Sequence, residues 1–341
     1  MFHALRVAFL RAAMRLPDRA VRRLGWGPRE VDGVPLSARL RWFLRVFSLD
    51  PGGVRRATPE GEREAFRHLA CSEISGPVLE VRTEDRVVDG PHPVPIRVYK
   101  GDEDATPQPL LLWIHGGGWV IGDLDTHDRF CRRLCRDTGA IIVAIDYRLA
   151  PEHPFPAAVE DVTAVWRWIA REARALGADP HRLAMGGDSA GGNMTAVLCQ
   201  QLPPAQRPCL QVLCYAGVDF SQKRPSRRSF GDGFLLTDAL IDWFLDHYAG
   251  SRDRTDPRLS PLLGQITEQP PALLITAGLD PLLDEGLEYG DRLEANGTVV
   301  ERQHVPEMIH GFVTLYGALP NAEKAVAEMT RRIRASLVDR A

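Results

Sequence analysis

The 341-residue sequence predicts an α/β fold, with a mostly parallel sheet of eight strands and helices on both of its faces. From about Val78 onward, short apolar segments alternate with longer segments of helical periodicity, which is the pattern of a parallel sheet covered by helices. The length suits one large α/β domain with an accessory part. The composition, 44% hydrophobic and 26% charged residues, is that of an ordinary globular protein.

Each element of the sheet is predicted from its own run of residues. The predicted strands are Val78–Val88, Val94–Tyr99, Leu110–Ile114, Ala140–Ile145, Arg182–Met185, Leu210–Tyr215, Ala272–Thr276 and Thr298–His304. The predicted helices are His127–Asp137, Phe155–Ala175, Ala190–Gln201, Leu282–Ala295 and Asn321–Ser336. The tight turn "DGPHP" joins the first two strands, which we therefore expect to be antiparallel.

Two regions depart from the alternation of strands and helices. Residues 1–56 carry helical periodicity and no strand, and residues 219–256 place a polar loop and one helix where the sheet would continue. Ligands of open α/β sheets bind at the carboxyl ends of the strands, so an insertion there covers the site. We therefore predict an N-terminal helical cap segment at 1–56, a second cap segment at 219–256, and a core formed by 57–218 and 257–341.

The segment "MGGDSAGGN" (185–193) places Ser189 between a predicted strand and a predicted helix. A nucleophilic serine on such a sharp turn needs small neighbours, because its backbone is strained and its Oγ must stand clear. A helix N-cap is the alternative role. The strand–turn–helix context favours the nucleophile.

A nucleophilic serine requires a base and an orienting carboxylate, expected in the order Ser, Asp, His. His310 follows the last predicted strand and precedes the terminal helix, whereas His304 lies inside that strand and is more typical of a structural residue. Asp280 lies just beyond the carboxyl end of the preceding strand. Asp284 and Glu285 come one helical turn later and are second choices for the acid.

The segment "HGGGW" (115–119) follows a short buried strand and contains three consecutive glycines. Glycine lets backbone N–H groups approach a phosphate or an oxyanion closely. No G-K-[ST] and no G-x-G-x-x-G fingerprint is present, which argues against a phosphate ligand. Beside a serine nucleophile, the N–H groups of Gly116, Gly117 and Ala190 are predicted to form an oxyanion hole. We expect His115 to hold the loop in shape.

Six segments in a fixed order carry a resemblance to a known family. They are "HGGGW", "DYRLAPEHPFPAA" (146–158), "GDSAGG" (187–192), "DPRLSPL" (256–262), "DPLLDEG" (280–286) and "HGF" (310–312). Together they resemble the hormone-sensitive lipase-like branch of the α/β-hydrolases, especially its bacterial esterases, from Leu110 to the C-terminus. The resemblance implies an α/β-hydrolase fold with a helical cap, in which Ser189 is the nucleophile, Asp280 the orienting acid and His310 the base.

The resemblance implies a serine carboxylesterase that hydrolyses short- to medium-chain acyl esters through an acyl-enzyme. Amide hydrolysis or deacetylation on the same triad stays open, because the pocket selects the leaving group, and an interfacial lipase is a further alternative. The fold also includes a non-catalytic plant hormone receptor, the gibberellin receptor, which lost its catalytic histidine. The intact His310 argues against such a binding module.

Charge and cysteine content limit the expected partners. The net charge of −3 gives no whole-chain signal for nucleic acid. The six cysteines form neither a disulfide framework nor a set with zinc spacing, so no metal or cofactor is expected. Arginines interrupt any N-terminal signal sequence and no run of 18 apolar residues exists, so a cytoplasmic protein is expected. The expected partner is a small-molecule ester, and a homodimer stays open.

The N-terminal region is strongly basic, with twelve arginines and four acidic residues within 1–56. Apolar residues recur there at helical spacing in two sets, first at Phe2, Leu5, Phe9, Ala12 and Leu16 and again at Leu36, Leu40, Phe43, Leu44 and Phe47. A basic amphipathic helix can lie on a membrane surface. More often such a face packs on its own protein, so membrane contact stays open but is not favoured.

Overall fold

A computed structural model of the chain describes residues 16–24, 28–48, 58–101 and 107–338. The strands of its main sheet are β1 (Arg82–Val88), β2 (Val94–Lys100), β3 (Gln108–Ile114), β4 (Ile141–Ile145), β5 (Ala178–Asp188), β6 (Gln211–Cys214), β7 (Ala272–Leu279) and β8 (Val300–Ile309). Its helices are α1 (Asp18–Leu24), α2 (Ala38–Ser48), α3 (Pro59–Ala70), α4 (Asp128–Thr138), α5 (Ala157–Glu172), α6 (Ala190–Gln201), α7 (Pro225–Phe230), α8 (Asp238–Tyr248), α9 (Leu283–Ala295) and α10 (Pro320–Leu337).

The main sheet has the strand order β8-β7-β6-β5-β3-β4-β2-β1. Strand β2 runs antiparallel to both of its neighbours, β1 and β4, and all other pairs are parallel. The predicted eight-stranded, mostly parallel sheet is therefore confirmed, as is the antiparallel pairing of its first two strands. The parallel arrangement brings the carboxyl ends of β3, β5, β7 and β8 to one edge.

Apolar side chains of the central strands alternate between two cores. On β3, Leu111 and Trp113 belong to one buried cluster, while Leu112 and Ile114 belong to the cluster on the opposite face. Helices α4 and α10 cover the first face, and helices α5 and α6 cover the second. Every residue of β3, β4 and β7 is buried, as expected for strands covered on both sides.

Helix α2 packs on the protein itself. Leu40 and Phe43 are fully buried, and with Leu36 they belong to the cluster that also contains residues of α4 and α10. This is the arrangement that the sequence favours for the second apolar set. Four members of the first set, Phe2, Leu5, Phe9 and Ala12, lie outside the described residues. None of the helices within the described ranges is long and apolar enough to cross a membrane.

Two local predictions for the regions outside the sheet are wrong. Residues 1–56 include a short antiparallel hairpin, Glu30–Val31 with Val34–Pro35, where no strand is predicted. Asp32 and Gly33 both have positive φ, 48° and 79°, as a two-residue type I′ turn requires. Strands of two residues are too short for their alternation to be recognised. The insertion at 219–256 contains two helices, α7 and α8, where one is predicted.

A buried acid fastens the loop after β6 to helix α9. Glu285 is fully buried, and its Oε1 accepts hydrogen bonds from the backbone N–H groups of Val218 (2.7 Å) and Asp219 (3.1 Å). Burial raises the pKa of Glu285 to about 8, although both N–H donors oppose this shift. The carboxyl is therefore neutral at neutral pH in the folded protein.

This raised pKa predicts a pH-dependent loss of stability that Glu285→Gln should remove. Between pH 4.3, about where an unfolded glutamate ionises, and pH 8, the folded protein retains a proton that the unfolded chain has lost. The free energy of unfolding should therefore fall as pH rises, by at most about 1.4 kcal/mol per pH unit from this group.

Glutamine keeps an acceptor oxygen for Val218 and Asp219 but does not titrate. In urea unfolding across this pH window, the wild-type protein should lose stability relative to Glu285→Gln with every step toward pH 8. Ester turnover at neutral pH checks that the variant is folded. Parallel stability curves for the two proteins would show that Glu285 does not titrate in this way.

Candidate active site

Ser189 occupies the sharp turn between β5 and α6. Its backbone has φ 54° and ψ −117°, a region that non-glycine residues seldom adopt. A Cβ on Gly187 or Gly191 would collide with the carbonyl oxygen of Ile114, so only glycine fits at these two positions. The small neighbours predicted from the sequence are thus required by the close passage of the turn over β3.

His310 connects Ser189 to Asp280. The imidazole Nε2 lies 2.8 Å from Ser189 Oγ, and Nδ1 lies 2.7 Å from Asp280 Oδ2. The three side chains come from the ends of β5, β7 and β8, which the parallel sheet brings to the same edge. His310 is therefore within hydrogen-bond distance of both other residues predicted from the sequence, which gives the spatial order Ser, His, Asp.

The surroundings of Asp280 and His310 fix both side chains. Asp280 is only 1% exposed, and its second oxygen, Oδ1, accepts a hydrogen bond from the Leu282 N–H at 2.8 Å. The ring of Tyr215 packs against the His310 imidazole with a centroid separation of 4.6 Å. These contacts leave His310 Nε2 directed at the serine.

The second-choice acids and His304 have structural partners. Asp284 Oδ2 accepts a hydrogen bond from the Ser226 N–H, and Glu285 binds the loop after β6 as described above. His304 Nδ1 lies 2.9 Å from Thr276 Oγ1 on the neighbouring strand, as expected for a structural residue. None of these side chains contacts His310 in the part of the chain that the structure describes.

His115 holds the glycine loop in shape, as the sequence suggests. Its ring stacks on Tyr147 at 4.2 Å, and the Tyr147 hydroxyl donates to the His115 carbonyl oxygen at 2.9 Å. Burial, with a smaller contribution from the neighbouring His127, lowers the pKa of His115 to about 4. The ring is therefore neutral, and its Nδ1 donates to the Gly116 carbonyl oxygen at 2.7 Å.

The glycine loop corrects one detail of the predicted oxyanion hole. The Gly116 N–H donates to Asp188 Oδ1 at 3.1 Å, so it is directed away from the reaction centre. In the described residues, no acceptor is found for the N–H groups of Gly117, Gly118 and Ala190. Gly118 thus joins Gly117 and Ala190 as a candidate donor in place of Gly116. The three glycines of the motif do not by themselves distinguish Gly116 from Gly118 as a donor. The direction of the Asp188 carboxylate, which binds the Gly116 N–H, makes this distinction.

Asp188 connects the glycine loop to the serine turn. The carboxylate is 4% exposed, and its Oδ1 also lies 3.4 Å from His127 Nε2. Burial alone would raise the pKa of Asp188, but His127 and the Gly116 N–H outweigh it and lower this pKa below its usual range. The residue before the nucleophile is therefore an ionised anchor.

A cavity of about 630 Å³ opens onto Ser189 and His310. Its base is formed by the glycine loop and the serine turn, and most of its wall is apolar. Helices α2 and α3 contribute one part of the wall, and residues 232–245 of the insertion contribute another. The apolar wall residues are Leu44, Phe66, Leu69, Trp119, Ile121, Phe220, Leu235, Leu236, Leu240, Ile241, Phe244, Leu245, Leu282 and Leu315.

Comparison with known proteins identifies the family. A family model described as "alpha/beta hydrolase fold" matches residues 111–314. Carboxylic ester hydrolase LipN of Mycobacterium tuberculosis (strain ATCC 25618 / H37Rv) is 41% identical over 321 residues, which cover 90% of this chain and 85% of the relative. Ethyl acetate hydrolase of Pseudomonas putida is 40% identical over 254 residues, or 72% of this chain and 80% of the relative.

Solved structures agree with these relatives. The ester-hydrolase EH1AB1 from the metagenome of Lake Arreo superposes with a TM-score of 0.84 at 39% identity, covering 88% of this chain and 98% of that one. A hyperthermophilic esterase from the archaeon Pyrobaculum calidifontis gives a TM-score of 0.82 at 35% identity with the same coverage. This chain therefore belongs to the hormone-sensitive lipase-like branch of the α/β-hydrolase family and is a carboxylic ester hydrolase of the serine hydrolase class.

Proposed function

We propose that this chain hydrolyses small acyl esters with Ser189 as nucleophile, His310 as general base and acid, and Asp280 as the carboxylate that orients His310. The observation that carries the proposal is the position of the His310 imidazole, 2.8 Å from Ser189 Oγ and 2.7 Å from Asp280 Oδ2. A neutral imidazole in this position can accept the serine proton while its other nitrogen donates to the carboxylate.

The reaction proceeds in two halves. Ser189 Oγ attacks the ester carbonyl as its proton passes to His310 Nε2, and Asp280 stabilises the imidazolium. The imidazolium then protonates the departing alcohol oxygen as the ester C–O bond breaks, which leaves an acyl-serine. A water molecule, deprotonated by His310, attacks the acyl carbonyl, and the returning proton restores the Ser189 hydroxyl.

The negative oxygen of each tetrahedral intermediate lies in the oxyanion hole, which we assign to the N–H groups of Gly117, Gly118 and Ala190. These donors come from two chain segments on either side of the serine. Fixed dipoles in a site that excludes water stabilise the developing charge without having to reorganise. The absence of internal acceptors for these groups within the described residues supports the assignment.

The cavity supports short- to medium-chain acyl esters as substrates. Its volume of about 630 Å³ lies within the usual range for small-molecule sites, and its wall is mostly leucine, isoleucine and phenylalanine. The similar protein of Pseudomonas putida is named for ethyl acetate, itself a short ester. We assign the wall segments within 1–56 and 219–256 to a cap over the serine, and helix α3 extends that cap beyond residue 56.

The triad assignment predicts a graded loss of activity. Ser189→Ala and His310→Ala should each lower kcat by about 10⁶-fold, and Asp280→Asn by about 10⁴-fold, because the three residues act as a unit. Steady-state hydrolysis of a nitrophenyl ester measures all three variants.

Asp284→Asn is the matched control, because this neighbouring carboxylate faces Ser226 instead of His310. A serine-directed organophosphate should label Ser189 alone. If Ser189→Ala kept substantial turnover, if another serine were labelled, or if Asp284→Asn proved worse than Asp280→Asn, the assignment would fail.

The substrate assignment predicts the order of a chain-length series. Nitrophenyl acetate, butyrate and hexanoate should give higher kcat/KM than laurate and palmitate, because the cavity has the volume usual for small-molecule sites. The same series measured with emulsified substrate distinguishes an esterase from an interfacial lipase, because the activity of a lipase rises at the emulsion surface. A maximum at palmitate, or activation at the emulsion surface, would contradict the proposal.

The cap assignment predicts that deletion of residues 1–50 strongly reduces activity even on soluble short-chain esters. The deletion removes Leu40 and Phe43 from the core and exposes the apolar surface beneath them, so aggregation should increase. Leu44→Ala truncates a single wall residue that also packs against the core, so it should change KM for soluble esters in a far milder way than the deletion. Full activity of the truncated protein, together with lost binding to anionic vesicles, would support a membrane role for this segment instead.

A further inference from the structure

Helix α3 presents two arginines, one turn apart, to the loop that follows the glycines. The helix begins at Pro59, where the Thr58 side chain accepts a hydrogen bond from the Gly61 N–H at 3.2 Å. Arg63 and Arg67 project from the same face of this helix, but they contact different parts of the chain beyond it. The mechanism described above uses neither of them.

Arg63 binds three separate residues. Its Nε donates to the Val120 carbonyl oxygen at 2.8 Å, and one terminal nitrogen donates to the Ala150 carbonyl oxygen at 2.8 Å. Both terminal nitrogens also contact the Glu152 carboxylate, at 2.8 and 2.6 Å. One guanidinium therefore joins the wall helix α3 to the glycine loop and to the loop after β4.

One of these carbonyl groups belongs to the turn that carries the proposed oxyanion-hole donors, and the other belongs to a residue that is hydrogen-bonded to this turn. The N–H groups of Val120 and Ile121 donate to the Gly117 carbonyl oxygen at 3.1 and 3.0 Å, and the Ala150 N–H donates to the Trp119 carbonyl oxygen at 2.9 Å. Trp119 has a φ of 62°, which is unfavourable for a residue with a side chain. Neighbouring contacts must hold this turn in its conformation.

We propose that Arg63 is a positioning residue for ester hydrolysis, which fixes the Gly117–Trp119 turn through the carbonyl groups of Val120 and Ala150. The inference rests on the proposed oxyanion hole. Two charge-assisted hydrogen bonds hold the outer side of the turn, so the Gly117 and Gly118 N–H groups keep their direction toward the oxyanion. The wall helix thereby completes the catalytic geometry as well as enclosing the substrate.

The Glu152 carboxylate forms an ion pair with the solvent-exposed side of the Arg63 guanidinium. The hydrogen bonds from Arg63 lower the pKa of Glu152 to about 2, so the pair is ionised at neutral pH. The Glu152 side chain is 46% exposed, and such ion pairs contribute little free energy on their own. The effect of Arg63 on the reaction should therefore come from the backbone carbonyl groups.

Arg67 is the matched control. It lies on the same helix and binds Asp123 and Asp125 at the far end of the same loop, with 53% of its side chain exposed compared with 27% for Arg63. Arg67 contacts neither Val120 nor Ala150 in the described residues. A general loosening of α3 would affect both arginine variants, whereas a specific effect on the turn would affect only the Arg63 variant.

The test compares Arg63→Ala, Arg67→Ala and Glu152→Ala with a soluble nitrophenyl ester. Arg63→Ala should lower kcat roughly 10- to 100-fold with KM nearly unchanged, since oxyanion donors act in the transition state. It should weaken the affinity for a trifluoromethyl ketone, which forms a tetrahedral adduct, by a similar factor. Arg67→Ala and Glu152→Ala should stay within about 3-fold of wild type in kcat.

Chemical rescue separates positioning from folding. Added methylguanidinium should restore part of the kcat of Arg63→Ala, because it can donate to the same carbonyl groups, whereas methylammonium should not. Active-site titration with an organophosphate counts the folded sites in each variant. Arg63→Lys provides a second variant that keeps the charge but cannot bind both carbonyl groups and Glu152 together, so it should fall between wild type and Arg63→Ala.

Three results would overturn the inference: equal kcat in Arg63→Ala and wild type per titrated site, a change confined to KM, or equal losses in the Arg63 and Arg67 variants. A failure of the proposed function would be seen in a different experiment, because Ser189→Ala would then retain ester turnover. Loss of kcat in Arg63→Ala with guanidinium rescue and unchanged KM would support the positioning role.

Discussion

The hydrogen bond from the Gly116 N–H to Asp188 Oδ1 is the constraint on which the rest of the site depends. The proposed oxyanion hole takes its N–H donors from two chain segments that are far apart in sequence, the glycine loop and the serine turn. Their separation must be fixed before substrate arrives, because preorganised donors act without reorganising. Asp188 belongs to one segment and holds the other, so one carboxylate sets the distance between them.

This constraint also explains why glycine recurs around Ser189. A Cβ on Gly116 would lie 2.5 Å from Asp188 Oδ2, and a Cβ on Gly191 would collide with the Ile114 carbonyl oxygen. The loop and the turn therefore approach each other at the separation that bare backbone allows. Gly116 and Gly191 therefore lie on the two sides of this close approach, whereas Gly117 and Gly118 make room for Ile121 and Phe244.

The sequence predicts the sheet well because buried strands are apolar throughout, but it misplaces strand ends. The first strand is predicted from Val78 and begins at Arg82, because Arg132 binds the carbonyl groups of Leu79 and Val81 in place of a neighbouring strand. The last strand continues past Pro306 through an irregular register, which an edge strand tolerates. The residues of the proposed triad follow motifs that are local in sequence, so they could be named from the sequence. The roles proposed for Gly118 and Arg63 could not be named in this way. The direction of the Asp188 side chain and the carbonyl partners of Arg63 leave no pattern in the sequence.

The wall of the cavity and the oxyanion hole are coupled through contacts on both sides of the glycine loop. The ring of Phe244, from helix α8 of the insertion, packs directly on Gly118, so that a Cβ at this position would overlap the ring. Arg63, from helix α3, holds the opposite side of the same loop through Val120. A segment that only limited access to the serine would not need to contact this loop. Because both wall segments do so, we expect a change of sequence in either one to alter the shape of the pocket and the direction of the proposed N–H donors together.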